Sequence, residues 1–190
     1  MRDAPPAESP ADIPPYSIEL HCHQFAAWAA ARAASVKGCR FSVAQGRALL
    51  ERCGFGAQMG VAALPKPKAM DASHAEWRKA ICDEAAEEDI QMTHGIAAKL
   101  INVYLKARFV HPPYHRNSKI RALHPPIDRL MLDAMAKANF GGEAKLWRET
   151  SRKGWSNLNG QDYRRVIAEI RVGLRGEPMW TIEEFWRGYQ

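Results

Sequence analysis

An all-α fold is what this sequence predicts, and three observations predict it. Apolar residues recur at helical spacing in nearly every patterned segment, capping residues stand at the starts of those segments, and no stretch alternates polar and apolar residues as a half-buried strand would. No internal repeat is present. Residues 1–15, rich in Pro, Ala and Asp, are predicted to be disordered, and residues 16–190 to form a single domain.

The elements follow in order. Ile18 to Val36 is Ala-rich and helical, with Leu20, Phe25 and Trp28 available for burial. Ser42 caps a second helix that stops at Gly54, and a Gly/Pro-rich loop follows to Met70. Ser73 with Glu76 reads as a capping box for a helix carrying Trp77, Ile81 and Cys82. Next comes H-G-I-A-A-K-L-I-N-V-Y-L-K, residues 94–106, an amphipathic helix opening at a glycine. A basic, proline-containing loop runs from His111 to Pro126, and a helix opens at Asp128, a good N-cap residue. Trp147 and Trp155 read as loop anchors. Asn159 caps a long helix, and Thr181 with Glu184 forms a capping box for a C-terminal turn.

Composition narrows the function. No apolar run is long enough to span a bilayer, so no membrane association is expected. The N-terminal stretch has no apolar core of a secretory signal. The four cysteines, Cys22, Cys39, Cys53 and Cys82, are scattered without a C-x-x-C pair, which suits reduced thiols and a cytoplasmic protein. His21 with His23, and His111 with His115, lack a third ligand at a convincing spacing, so metal catalysis is set aside and no cofactor is expected. The net charge of +6 is concentrated: residues 99–129 hold Lys99, Lys106, Arg108, Arg116, Lys119, Arg121 and Arg129 against Asp128 alone. Just before them, D-E-A-A-E-E-D is strongly acidic. The basic segment is a candidate phosphate-binding surface, the competing reading being a solvated basic face.

G-I-A-A-K-L-I-N-V-Y-L, followed after the basic loop by H-P-P-I-D-R-L, resembles the glycine–lysine helix and the Pro-hydrophobic-Asp segment of the helix-hairpin-helix DNA glycosylases. The likeness covers about residues 88–136. It implies a DNA glycosylase with AP-lyase activity in base excision repair, working as a monomer on double-stranded DNA that contains a damaged base. Lys99 falls on the family's nucleophile, Asp128 on its essential aspartate, and Gly95 on the hairpin glycine that faces a DNA phosphate. Lys106, Arg116, Lys119 and Arg121 would be supporting phosphate ligands. Gln24, Phe25 and Trp28, within about one helical turn, could stack on and bond a flipped purine, core packing being the alternative for Trp28. An amine attacking a sugar carbon must be neutral, and burial among Ile96, Leu100 and Val103 would lower its pKa.

Periodicity reads the same lysine otherwise. At about 100° per residue, Lys99 shares an arc with Asn102 and Lys106, a solvated polar face. The chain also departs from the family pattern. Ala97 replaces the second hairpin glycine, the loop from His111 to Arg121 is long, and no iron–sulfur cysteine cluster is present. The long spacer and missing cluster suit the branch that removes 8-oxoguanine. Two other readings stand beside the enzyme: a non-catalytic helix-hairpin-helix module that binds DNA, and an all-α interaction protein whose basic loop meets an acidic partner.

Overall fold

Helix α4, His94–Phe109, is the element around which the chain is built. In the computed structural model, which describes residues 16–188, it is buried along most of its length. α1 (Ile18–Ala34), α3 (Met70–Ala86) and α8 (Gly160–Leu174) pack against it, while α2 (Val43–Arg52) packs on α1 and α3, and α7 (Ala144–Lys153) packs on the short helix Arg129–Lys137. The shorter α5 (Ser118–Arg121) and α6 (Arg129–Lys137) follow the basic loop. The fold is all-α. Among the described residues the only extended pairing is one isolated bridge, Val36 with Cys39. The predicted disorder of residues 1–15 lies outside the described residues.

Small side chains set the closest packing. α1 turns a stripe of Ala26, Ala27, Ala30, Ala31 and Ala34 inward, all essentially inaccessible to solvent, so its backbone lies close to its neighbours. Gly46 of α2 completes that contact, because a Cβ there would meet the Ala31 methyl at 2.7 Å. The same stripe overturns one expectation. Phe25 and Trp28, expected to be available for burial, lie on the outer face, 58 % and 49 % exposed. The alanines take the inner positions, and large rings would hold the helices apart.

Caps explain most boundaries. Ser42 and Gln45 form a reciprocal capping box before α2. Asn159 and Asp162 do the same before α8. The boxes expected at Ser73 and Thr181 do not form. α3 begins three residues earlier, at Met70, growing out of a 3₁₀ turn at Pro67–Ala69, so Ser73 lies inside it. Thr181 sits within a 3₁₀ stretch, Met179–Phe185, and donates its hydroxyl to the Pro178 carbonyl. The loop expected over 54–70 contains a further 3₁₀ turn, Val61–Ala63. α7 was not singled out from the sequence. It is strongly amphipathic, burying Leu146 and Trp147, whose indole N–H donates to the Phe140 carbonyl.

Two apolar clusters result, one built on α1–α4 and one on α6–α8, and α4 contributes to both. Between them runs an extended segment, His124–Asp128, that connects the basic loop to α6.

Candidate functional site

Pro125 and Pro126 have no N–H, so the His124–Asp128 segment cannot join a ladder, and its carbonyls must find donors elsewhere. α4 supplies them. The Asn102 side-chain amide donates to the Pro125 carbonyl at 2.9 Å, and one turn earlier the Lys99 amine donates to the Ile127 carbonyl at 3.1 Å. The segment ends at Asp128, the N-cap of α6. One carboxylate oxygen accepts the Met131 N–H at 3.0 Å, and the other accepts from the Lys99 amine at 3.3 Å. The fold thus brings together Lys99 and Asp128, which 28 residues separate in the sequence.

Lys99 is only 8 % exposed. Burial pushes its pKa below the usual lysine value, while Asp128 beside it and Glu183 farther off pull the other way. Its amine also lies 5.4 Å from the centre of the Trp155 ring. Periodicity alone read the arc of Lys99 and Asn102 as a solvated face. The structure corrects this, since both are buried: the segment 124–128 and α8 cover the arc that the helix by itself would leave open.

One side of Lys99 opens into a cleft of about 280 Å³, near the lower end of small-molecule sites. Its walls are Ala29 and Ala33 of α1, Val103 and Ala107 of α4, Pro126, and Trp186. Four charged groups of alternating sign line it: Lys99, Asp128, Lys106 and Glu183. Lys106 is ion-paired with Glu183 and lies 5.5 Å from the Trp186 ring centre. It is therefore neutralised inside the cleft, which corrects its expected role as a phosphate ligand.

The other expected phosphate contacts divide. Gly95 is corrected. Its N–H donates to the Leu158 carbonyl at 2.9 Å, and a Cβ on it would stand 2.0 Å from the Trp155 carbonyl oxygen. The glycine is there because the 155–158 loop crosses the helix start, which leaves no room for a phosphate at that amide. Lys119 donates to the carbonyls of Val61 and Ala62, and Arg121 to that of Gly176. Their partners are neutral carbonyls, not carboxylates. Arg116 is exposed in the basic loop. Of the expected base pocket, Gln24 accepts from the Tyr16 hydroxyl at 3.5 Å. Phe25 and Trp28 form an exposed pair with ring centres 5.9 Å apart, on the helix that supplies Ala29 and Ala33 to the cleft. None of the three lines the cleft itself.

Behind Lys99 lies a polar chain that the sequence reading missed. Arg78 Nε donates to His74 Nδ1, and His74 Nε2 donates to the Asn102 carbonyl oxygen at 2.7 Å. The Asn102 amide donates to the Tyr163 oxygen at 2.9 Å, Tyr163 O–H to His124 Nδ1, and His124 Nε2 to Asp71, itself held by Arg171. Every donor points the same way along the chain, which requires both histidines neutral. Burial lowers the pKa of each and raises that of the Tyr163 hydroxyl. His74 and Arg78 four apart, and Asn102 three beyond Lys99, were the available signals.

Among the described residues no cluster of His, Cys, Asp and Glu could hold a metal ion. No helix of the described residues is long and apolar enough to cross a membrane. Comparison with protein-family models, curated proteins and solved structures returns no match. The functional reading therefore stands on the geometry around Lys99.

Proposed function

We propose that this chain is a DNA glycosylase with AP-lyase activity, acting on an oxidised purine, with 8-oxoguanine the first lesion to test. One observation carries the reading. A buried lysine amine, held below its ordinary pKa, meets a helix-capping carboxylate at 3.3 Å on the wall of an apolar cleft. A neutral amine is the form that attacks carbon, and desolvation favours it. Lys99 would bond to the sugar C1′ as the bond to the base breaks and the electron pair leaves with the base, which takes a proton. Positive charge builds on the sugar in that step, and the Asp128 carboxylate offsets it. Asp128 also accepts the proton that the attacking amine sheds. Opening of the sugar ring leaves a C1′–N iminium. Loss of a C2′ proton then expels the 3′ phosphate and nicks the strand.

The target base must leave the duplex, and the exposed Phe25–Trp28 pair beside the cleft offers a surface for stacking it or its neighbour. Arg116, Lys119 and Arg121 support backbone binding, which would weaken steeply with salt.

The test is borohydride trapping on duplexes bearing 8-oxoguanine, uracil, an abasic site or no lesion. Borohydride reduces the iminium to a stable amine joining protein and DNA. A covalent adduct that disappears in Lys99→Gln is expected. An adduct that survives in Lys99→Gln, or none with any duplex, overturns the proposal. A second reading has one observation behind it: the Lys99 amine also bonds the Ile127 carbonyl, as a structural strut would. On that reading duplex affinity persists without trapping, the behaviour of a non-catalytic binding module.

A further inference from the structure

We infer that Asn102 is a positioning residue, setting through the Pro125 carbonyl where the 126–128 segment holds the Asp128 carboxylate against the Lys99 amine. The inference rests on the reading of Lys99 and Asp128 as the reacting pair. The segment has few other restraints on this side. Its two prolines donate nothing, the Pro125 carbonyl takes its hydrogen bond from Asn102, and the Ile127 carbonyl takes one from Lys99 itself. If the Pro125 bond is lost, Ile127 still packs against α4, but the one hydrogen bond left between the stretch and that helix comes from the amine that it is meant to position.

Asn102 suits the task because its amide cannot turn over. Both N–H donors are used, toward Pro125 and Tyr163, and its oxygen accepts from His74. A flip would set N–H against N–H at His74 and oxygen against oxygen at Pro125. The neighbours are themselves fixed by the one-way chain from Arg78 to Asp71. His124, at the start of the segment, belongs to that chain, so the same network grips the segment at two successive residues. A solvated asparagine would need none of this; Asn102 is 1 % exposed.

The experiment follows the Lys99 amine directly, without DNA. Chain labelled with ¹³C- and ¹⁵N-lysine is titrated by NMR through the Lys99 side-chain signals, which are assigned by their loss in Lys99→Met. Four forms are compared: the native chain, Asn102→Leu, Asp128→Asn and the double variant. If Asn102 holds Asp128 in place, Asn102→Leu lowers the Lys99 midpoint, because a still-buried amine has lost its carboxylate. Asp128→Asn lowers it too, and Asn102→Leu then adds nothing in that background. A merely structural role predicts the opposite sign, since a loosened, hydrated lysine titrates closer to its ordinary value. A rise, no change, or equal shifts in both backgrounds overturns the inference. Should Asn102→Leu fail to fold, Asn102→Ala, which likewise removes the donor to the Pro125 carbonyl, takes its place in the same cycle with the same expected sign. Coupling between Asn102 and Asp128 without any borohydride adduct would remove the glycosylase reading and leave the positioning role standing.

Discussion

The two sides of the 124–128 segment handle ionisable groups in opposite ways. On one side His74, His124, Tyr163 and Asn102 are enclosed, neutral, and joined by hydrogen bonds that all run in one direction. On the other, Lys99, Asp128, Lys106 and Glu183 line a cleft and are paired by charge. The enclosed cluster resembles a core made of polar atoms. Its members hold one another in place and have no access to a ligand. The cleft keeps a poorly solvated amine next to open space, a costly arrangement unless the amine reacts or recognises something. Burial alone therefore does not mark a site; burial beside an opening does.

Breaking the enclosed side should cost the most. His74→Leu leaves the Asn102 oxygen buried without its donor and the Arg78 Nε with only its 3.3 Å bond to the residue 74 carbonyl, and is expected to lower unfolding free energy by about 3 kcal/mol in urea titration. Lys99→Met, on the same core helix system but at the cleft, is expected to stay within about 1 kcal/mol of the native chain, because it removes a buried cation while Asp128 keeps its capping bond. Equal losses from the two variants would erase the distinction between the clusters. Next in size is Gly95→Ala, whose methyl collides with the Trp155 carbonyl where the two apolar clusters meet. A loss of about 2–3 kcal/mol is expected, against near neutrality if that amide instead faced outward to a phosphate.

Asp128 separates stability from chemistry. Asp128→Ala and Asp128→Asn both take the carboxylate from Lys99, but only Asp128→Ala also removes the α6 cap, so it should be the less stable of the two by about 1 kcal/mol. Trapping should fall in both, and a variant that traps like the native chain would free Asp128 from its proposed role. The gentlest effect is that of pH. His74 and His124 both titrate below 6.5 in the folded chain, so on acidification the unfolded chain binds protons first. Their stability contribution is full above about pH 6.5 and is lost as pH falls from there through the folded values. Lys99 is also depressed, from 10.5, so its cost is present at neutral pH and eases as pH climbs toward 10.5. The urea midpoint should therefore rise from acid toward about pH 6.5. On the alkaline side the Tyr163 hydroxyl and the Cys82 thiol, both pushed up by burial, take stability away as pH climbs, so the Lys99 share is read as a difference. Lys99→Met should fall off more steeply than the native chain above neutral pH, with the acid limb unchanged, and identical alkaline limbs would deny Lys99 that share.

Much of this was legible in the amino-acid order. Helical periodicity and the caps at Ser42, Asp128 and Asn159 are local properties, set by backbone geometry within a few residues, and the structure matches them. The pairing of Lys99 with Asp128 was reached only through the resemblance, since periodicity placed Lys99 on a solvated arc. What decided that point was tertiary: a proline-rich segment with no donors of its own lies over α4 and takes hydrogen bonds from Lys99 and Asn102. The outward placement of Phe25 and Trp28 was tertiary too, because the close approach of α1 to its neighbours leaves room only for alanine. So was the role of Gly95, a helix-start glycine in sequence that in space is the crossing point for a loop sixty or more residues further along the chain. Local order determined which residues would be helical and where those helices begin. Burial, and with it the chemistry of each polar group, depended on which distant segment came to cover it.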